Sequence, residues 1–268
     1  MQQSIQPKAA RPVALITGAS SGIGAALARE AAKDGHNLIL VARRREPMQA
    51  LASELTAAGT EVTILEKDLS QSGAAASLIE AVEQRGLAID VLINNAGLGD
   101  NGPFERADLG RIDQILQVNV VALTELTRLV LPKMRARGRG RIMLVASTAA
   151  FQPGPGMAVY YATKAYVLSF GQAIAYELGG SGISVTTLCP GPTETEFAQV
   201  AHMEGVALFK GPMPIMSAAE VAQRGYQALL RGQRVVITGV VNSVLALSAR
   251  FTPTSVLMFI ANRVNAPL

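Results

Sequence analysis

Residues 13–24 read Val-Ala-Leu-Ile-Thr-Gly-Ala-Ser-Ser-Gly-Ile-Gly and run directly into an alanine-rich stretch with helical spacing. The first five residues form a short apolar run, which is typical of a strand buried on both faces. Glycines at the following turn let a phosphate group approach the free N–H groups of a helix N-terminus. The stretch therefore predicts a loop that binds a dinucleotide rather than a plain turn, with contacts from Gly18, Ser20, Ser21, Gly22, Ile23 and Gly24.

Short apolar runs alternate with longer helical patterns along the rest of the chain, as in a parallel sheet with helices on both faces. Strands are predicted over residues 13–17, 37–42, 61–66, 91–94, 141–146, 184–189 and 234–237. Helices are predicted over residues 22–35, 47–58, 73–85, 108–137, 157–178 and 218–230. Because no linker or repeat divides them, we predict one doubly wound, Rossmann-type α/β domain over residues 11–268, with a seven-stranded parallel sheet, after a flexible N-terminus at residues 1–10.

The composition excludes several classes of protein. With 49% apolar residues and a net charge of +4, the chain is not a disordered one. One cysteine, Cys189, and two histidines leave little material for disulfides, a metal centre or a serine–histidine–aspartate site. The arginines within residues 135–141 have no aromatic residues among them, which disfavours a nucleic-acid partner. The polar first ten residues and the absence of an 18-residue apolar run predict a cytoplasmic chain without a spanning helix.

The second predicted strand is followed by Ala-Arg-Arg-Arg at residues 42–45. Folds that select NAD usually place an acid about 20 residues beyond the glycines, where it binds the ribose 2′-hydroxyl. Arginine instead binds a 2′-phosphate through charged, bidentate hydrogen bonds. Three cations at a helix start also oppose the helix dipole, and a bound anion would relieve that conflict. We therefore expect NADP(H) in preference to NAD(H), with Arg43 and Arg44 as its contacts; a solvated charge run is the alternative.

Four further motifs follow the glycine stretch in order. They are Asp-Leu at 68–69, Asn-Asn-Ala-Gly at 94–97, Tyr-Tyr-Ala-Thr-Lys at 160–164 and Pro-Gly-Pro-Thr-Glu-Thr at 190–195. Each lies at the end of a predicted strand or near the start of a predicted helix. Over roughly residues 11–236 the chain resembles the short-chain dehydrogenase/reductase family, in its compact single-domain branch.

The resemblance implies a cofactor site built at the carboxyl ends of the strands, where open α/β sheets bind ligands. Asp68 would accept a hydrogen bond from the adenine amino group, with the backbone of Leu69 beside it. Gly97 would leave room for the ribose, and Thr193 and Thr195 would hold the nicotinamide carboxamide and the phosphates. Ordinary turn chemistry is the alternative for the side chains of Asp68 and Asn95. The other implied contacts are Asn95, Ala96, Pro190, Gly191, Tyr160 and Lys164.

Tyr160 and Lys164 are four residues apart, so a helix places them on one face. A tyrosine with a pKa of about 10 stays protonated at neutral pH. A nearby ammonium, together with the positive ring of the oxidised nicotinamide, would lower that pKa and make Tyr160 a usable acid or base. Tyr161 is the weaker candidate, because the residue four positions after it is Ala165, which carries no charge.

Two more catalytic residues follow from the resemblance. Ser147, 13 residues before Tyr160, would hydrogen-bond the substrate oxygen that gains charge, with Thr148 as a minor rival. Asn119 falls in a predicted long helix, where asparagine has low propensity. Its implied role is to hold a water in a proton relay with Lys164, and the alternative is a kink or a buried hydrogen-bonding residue. No metal is expected.

The resemblance implies hydride transfer between NADP(H) and a carbonyl or alcohol substrate, with Tyr160 as the acid or base. Residues 196–216 are expected to form a substrate lid, and an apolar substrate is favoured by its side chains Phe197, Met203, Phe209, Met213 and Met216. A loop packed on its own core is the alternative for this segment. A non-catalytic NADP-binding sensor or interaction protein is the alternative for the whole chain.

The C-terminal residues 238–268 are almost uncharged. We expect them to close the substrate pocket or to form a subunit interface, in preference to membrane contact. The family resemblance also implies a homo-oligomer.

Overall fold

A seven-stranded parallel sheet lies at the centre of the computed structural model, which describes residues 11–203, 205–206 and 215–266. Its strands are β1 Val13–Thr17, β2 Asn37–Ala42, β3 Val62–Glu66, β4 Ile89–Asn94, β5 Gly140–Val145, β6 Ile183–Cys189 and β9 Val235–Ile237. They are arranged in the order β3-β2-β1-β4-β5-β6-β9. The sequence prediction of the sheet is thus confirmed, with strand ends within two residues.

The helices follow the predicted alternation. They are α1 Gly22–Lys33, α2 Arg45–Ala57, α3 Ala74–Glu83, α4 Leu109–Leu116, α5 Leu123–Arg137, α6 Ala158–Glu177, α7 Phe197–Val200, α8 Ala218–Leu230, α9 Val240–Ser248 and α10 Thr254–Asn265. α2 begins two residues before the predicted start, so that Arg45 lies within the helix and Arg44 is its N-cap residue. Two short 3-10 turns, Phe104–Arg106 and Thr148–Phe151, were not predicted.

Two apolar cores cover the faces of the sheet, as the alternation of side chains along buried strands requires. On β2, Ile39 packs with Leu78 of α3 and Leu126 of α5 in one core. Its neighbour Leu40 packs in the other core, which contains Leu27 of α1 and other residues of α1, α2 and α8. The strand order reverses between β1 and β4, so a ligand crevice is expected at their carboxyl ends.

The predicted long helix over residues 108–137 is interrupted by a π-helical segment, Gln117–Ala122, between α4 and α5. The N-cap residue Asp108 accepts a hydrogen bond from the Arg111 amide at 2.7 Å. Together α4 and α5 are long and apolar enough to cross a membrane by length and composition. Their inner face packs in the core, where Leu126 and Val130 are buried, so burial in this fold accounts for the apolar composition.

The ends of the predicted lid are paired in a two-stranded parallel ladder, β7 Thr193–Glu194 with β8 Met216–Ser217. Between them, Phe197 of α7 packs against Gly99, in the segment that follows β4. Of the five apolar side chains predicted to line the lid, Phe209 and Met213 lie outside the described residues, as does the N-terminal segment 1–10.

The C-terminal segment forms two helices rather than an extended tail. The end of α10 is held by Asn265, whose amide donates to the Pro155 carbonyl at 2.9 Å. Its own backbone carbonyl accepts from Asn101 at 3.0 Å. These contacts place α9 and α10 beside the carboxyl ends of the central strands.

Candidate active site

A single cleft of about 600 Å³ runs along the carboxyl ends of the strands, within the size range of small-molecule sites. It brings together all but two of the residues predicted for the site. The exceptions are Gly24 and Asn119, which do not line it. The cleft has a polar part at the glycine loop and an apolar part beneath α7, α9 and α10.

The glycine loop presents the N-terminus of α1 to the cleft. Ser21, the N-cap residue, makes no side-chain capping bond, and the first turn of α1 contains no acid. The backbone N–H groups of this turn are therefore available to an anion. Gly18 and Gly22 have φ angles of +65° and +54°, which L side chains rarely adopt.

Gly24 packs closely against Gly18 and Asn95 and does not line the cleft. A Cβ at this position would lie 2.2 Å from the Gly18 carbonyl oxygen and 2.5 Å from the Asn95 amide nitrogen. Only glycine lets α1 approach the turn this closely, and the predicted contact of Gly24 with a cofactor stays a prediction.

Asn95 supports the glycine loop from the end of β4. Its side-chain amide donates to the carbonyls of Thr17 and Gly18, at 3.0 and 3.2 Å. The Thr17 hydroxyl in turn accepts from the amides of Asn95 and Ala96, each at 3.0 Å. The side chain of Asn95 therefore stabilises a turn, which was the alternative to a cofactor contact for this residue. The next two residues, Ala96 and Gly97, line the cleft. Thr17 thus helps to position the segment after β4, a role that was not predicted from the sequence. A hydroxyl residue between an apolar strand and a glycine could have indicated it.

Asp68 and Leu69 line the cleft next to Arg43, at the end of β3. One oxygen of Asp68 accepts from the Ser70 amide at 3.0 Å and from the Ser70 hydroxyl at 2.8 Å. Burial opposes ionisation, but these bonds and the charge of Arg43 hold the pKa of the Asp68 carboxyl below its usual range. Asp68 is thus an ionised acceptor that also forms a local turn.

Arg44 reaches over the glycine loop from the end of β2. Its guanidinium donates to the Ser20 and Ser21 hydroxyls at 3.5 and 3.3 Å, and to the carboxylate of Glu196. Sequence reasoning placed Arg44 here but missed Glu196, which is 152 residues away along the chain.

Tyr160 projects from the first turn of α6 into the middle of the cleft. Its ring lies 5.2 Å from that of Phe197, centroid to centroid, and it also contacts Tyr161 edge-on. Desolvation by these neighbours raises the pKa of the Tyr160 phenol above its ordinary value, and the Ser147 hydroxyl partly opposes the rise. The lowering expected from Lys164 together with a bound, oxidised nicotinamide stays a prediction.

Lys164 is 4% exposed and donates to the Val145 carbonyl at 2.9 Å. Its ammonium nitrogen lies 5.7 Å from the centre of the Tyr160 ring. Burial lowers the pKa of Lys164 to about 8. The neighbouring thiol of Cys189 is also buried, which raises its pKa to about 12.

Asn119 occupies the π-helical segment and is 1% exposed. Its oxygen accepts from the Leu98 amide at 2.8 Å, and its nitrogen donates to the Leu98 carbonyl at 2.9 Å and the Thr163 hydroxyl at 3.0 Å. Asn119 thus has the contacts of a buried hydrogen-bonding residue, which was one alternative to its role in a water relay. Its oxygen and the Lys164 nitrogen both lie against Gly97, at 3.6 and 3.3 Å from the position of an added Cβ.

Ser147 and Thr148 lie side by side in the cleft after β5. The Ser147 hydroxyl accepts from the Ala149 amide at 3.1 Å and so caps the short 3-10 turn. The backbone amide of Thr148 donates to the Pro190 carbonyl at 2.8 Å, which fixes the position of this residue. Tyr160 lines the same cleft, and Ser147 is near enough to its phenol to influence the pKa of that group by hydrogen bonding.

The segment after β6 forms the wall opposite the glycine loop. The Thr193 hydroxyl donates to the Gly191 carbonyl at 2.9 Å, and the Thr195 methyl group lies 2.8 Å from a Cβ placed on Gly22. Gly191 also packs against Asn242 of α9, whose amide would be 2.2 Å from an added Cβ. Asn242 is 3% exposed and was not predicted, because its place depends on the fold of the C-terminal helices.

The apolar part of the cleft extends from Tyr160 towards the C-terminal helices. Its walls are contributed by α6, α7 and α10 and the residues near them, namely Met157, Tyr161, Phe197, Met203, Leu257 and Val264. The Tyr161 hydroxyl pairs with Asn265 at 3.4 Å, so it is turned towards α10. Residues of α9 and α10, among them Ala246 and Leu257, line this part of the cleft, and the closing of a substrate pocket by residues 238–268 stays a prediction.

Among the residues described, no group of three histidine, cysteine, aspartate or glutamate side chains could hold a metal ion.

The fold and the cleft define a dinucleotide-binding α/β domain with a tyrosine and a lysine beside the ligand space. A family model described as short chain dehydrogenase matches residues 12–204. The chain belongs to this family.

Three similar proteins illustrate the relationship. "Ketoacyl reductase HetN" from Nostoc sp. is 36% identical over 177 residues, which are 66% of this chain and 62% of that protein. A structure of a short-chain dehydrogenase from Sphingobium yanoikuyae in complex with NADPH has 34% identity and a TM-score of 0.78, covering 90% of this chain and 93% of that one. The bulky-bulky ketone specific alcohol dehydrogenase from Comamonas testosteroni has 33% identity and a TM-score of 0.75, covering 90% and 92%.

Proposed function

We propose that this protein is an NADP(H)-dependent oxidoreductase that interconverts an apolar ketone or aldehyde and the corresponding alcohol. The observation that carries the proposal is the arrangement of Ser147, Tyr160 and Lys164 in one cleft whose other end contains a glycine loop and two arginines. This places proton-handling groups and an anion-binding loop along one continuous ligand space. The Sphingobium structure with NADPH supports the choice of cofactor.

The described residues fit a phosphorylated dinucleotide. The uncapped N-terminus of α1, with free N–H groups and no acid in its first turn, suits a pyrophosphate. Arg43 and Arg44 line the same end of the cleft and would hold the 2′-phosphate, with Asp68 beside them for the adenine. Gly97, Pro190, Gly191, Thr193 and Thr195 would hold the ribose and carboxamide end. A bound nicotinamide supplies or accepts the hydride.

Tyr160 would transfer the proton. Its raised pKa keeps the phenol protonated at neutral pH, which suits donation to a carbonyl oxygen during reduction. The Ser147 hydroxyl would orient that oxygen and hydrogen-bond it as negative charge develops. When protonated, Lys164 favours the phenolate that remains after donation, because an opposite charge stabilises the ionised form.

Asn119 would act by positioning rather than by contact. Its amide fixes the backbone of Leu98, at the end of the segment that carries Gly97, and the Thr163 hydroxyl next to Lys164. The water relay with Lys164 implied by the family stays a prediction.

An apolar substrate is supported by the part of the cleft beyond Tyr160. Met157, Phe197, Met203 and Leu257 line it, and methionine adapts to apolar ligands of irregular shape. The printed description of the Comamonas relative as specific for bulky ketones supports the same class. Bulky ketones, aryl aldehydes and 3-oxoacyl compounds are therefore the substrates to try first.

The test is NADPH oxidation, followed by absorbance, against that panel, with NADH as the cofactor control. We expect turnover with NADPH and an advantage for bulky apolar carbonyls over small polar ones. Turnover with NADH alone would overturn the cofactor assignment. Tight NADPH binding without turnover of any of these substrates would favour the sensor or interaction protein instead.

We further propose a homo-oligomer in the cytoplasm. Apolar side chains are exposed on α9, such as Val240 and Val244, and in the turn before α10, at Phe251, and they support a subunit interface. Membrane contact by this segment remains the less favoured alternative, and vesicle flotation tests it. Light scattering tests the oligomeric state.

A further inference from the structure

Glu196 is the residue immediately before α7, at the start of the lid segment, and it faces the polar end of the cleft. Its carboxylate accepts from the guanidinium of Arg44, so the two residues connect the lid to the end of β2 across the rim of the cleft. The hydrogen bond from Arg44, supported by one from Ser21, holds the pKa of the Glu196 carboxyl below its usual range. Glu196 is thus an anion at neutral pH.

The same guanidinium nitrogen of Arg44 also lies next to the glycine loop. It is 3.5 Å from the Ser20 hydroxyl and 3.3 Å from the Ser21 hydroxyl. Arg44 is therefore directed towards the loop that suits phosphate, while it is paired with a carboxylate. The side chains of Arg44 and Glu196 are 53% and 48% exposed, so their pairing is accessible to a competing anion.

We propose that Glu196 is a specificity-determining residue for the cofactor, because its carboxylate competes with the 2′-phosphate of NADP(H) for Arg44. The inference rests on the proposed function, in which Arg44 binds that phosphate. NAD(H) has a neutral hydroxyl at this position and does not compete. Glu196 therefore weakens the binding of NADP(H) but not that of NAD(H). It reduces the preference for NADP(H) over NAD(H) that Arg43 and Arg44 create.

The expected effect follows from the exposure of the pair. Half-exposed ion pairs are weak, so removing the competitor is expected to tighten NADPH binding by about two- to fivefold. The effect should decrease as salt is raised, because added ions screen exposed charges.

The experiment is isothermal titration of the full-length protein with NADPH and with NADH, for the wild type, Glu196→Gln, Arg44→Met and the double variant. Glu196→Gln is expected to lower the Kd for NADPH and to leave the Kd for NADH unchanged. In the Arg44→Met background the same change should have no effect, because the guanidinium that pairs with Glu196 is absent. Glu194→Gln is the matched control, since Glu194 is an exposed acid in the same segment and does not line the cleft.

The outcomes separate this inference from the function on which it rests. If Glu196→Gln weakens the binding of NADPH and NADH equally, the role of Glu196 is only structural, through its ion pair with Arg44, and the inference is wrong. If Glu194→Gln tightens NADPH binding as much as Glu196→Gln does, the effect comes from net charge alone, and the inference is also wrong. If Arg44→Met leaves the preference for NADPH over NADH unchanged, the assignment of Arg44 to the 2′-phosphate fails.

Discussion

The ammonium of Lys164 lies 5.7 Å from the centre of the Tyr160 ring, and the two side chains meet on one face of the first turns of α6. Lys164 is buried and hydrogen-bonded to the Val145 carbonyl, so its position is fixed by the end of β5. Tyr160 is fixed on its other side by Phe197 of the lid. The end of β5 and Phe197 therefore fix the positions of these two side chains.

Lys164→Met should change how stability depends on pH. The pKa of Lys164 is lowered from 10.5 to about 8 in the folded protein, so between these values the unfolded chain binds more protons. The free energy of unfolding of the wild type should therefore rise with pH through this window, relative to the variant. Urea unfolding of the protein without cofactor at pH 7.5 and at pH 9 measures the difference.

The control for that experiment is Lys33→Met, because the Lys33 side chain is 72% exposed and is paired only at the surface with Glu30. Its stability relative to wild type should stay constant over the same pH window. A constant difference for Lys164→Met as well would mean that Lys164 keeps its proton in the folded state.

Asn119→Ala should destabilise the fold by about 2 kcal/mol, because it leaves the buried amide and carbonyl of Leu98 without their partner. Thermal or urea unfolding measures the loss. Asn262→Ala, at an exposed position in α10, is the matched control and should be nearly neutral. If Asn119→Ala unfolds like the control, the hydrogen bonds to Leu98 contribute little to stability.

Phe251→Glu tests the proposed subunit interface. Phe251 is 89% exposed and lies between α9 and α10, so a charge there costs nothing within one chain. We expect the variant to dissociate on light scattering while its unfolding midpoint at high dilution stays that of the wild type. A wild type that is already monomeric would contradict the homo-oligomer, and an unchanged assembly would place the interface elsewhere.

Much of the fold could be predicted from the sequence because its strands are buried on both faces. Residues 13–16, for example, are all apolar and buried, and the helical patterns between the strands have clear ends. The motif residues come together for a topological reason, since the carboxyl ends of parallel strands meet at one edge. This is why Asp68, Ser147 and Thr193 share a cleft although they are distant along the chain.

The features that escaped prediction depend on contacts between distant parts of the chain. The π-helical segment Gln117–Ala122 contains Asn119, which is hydrogen-bonded to Leu98 of another element. The low helix propensity of asparagine indicated a possible kink here, but not a π-helical turn. The pKa of Tyr160 is raised by neighbours that only the tertiary fold supplies. The pairing of Arg44 with Glu196 likewise depends on the fold, which brings the segment after β6 next to the end of β2.

The most direct test of the proposed reaction is the initial rate of NADPH oxidation with the best bulky ketone, measured side by side for wild type, Tyr160→Phe and Tyr161→Phe. We predict that Tyr160→Phe lowers kcat by about 10²- to 10⁴-fold, the usual contribution of a general acid, while calorimetry finds its affinity for NADPH within about twofold of wild type. Tyr161→Phe should retain most of the rate, because its hydroxyl pairs with Asn265. A Tyr160→Phe variant that turns over at the wild-type rate would contradict the account.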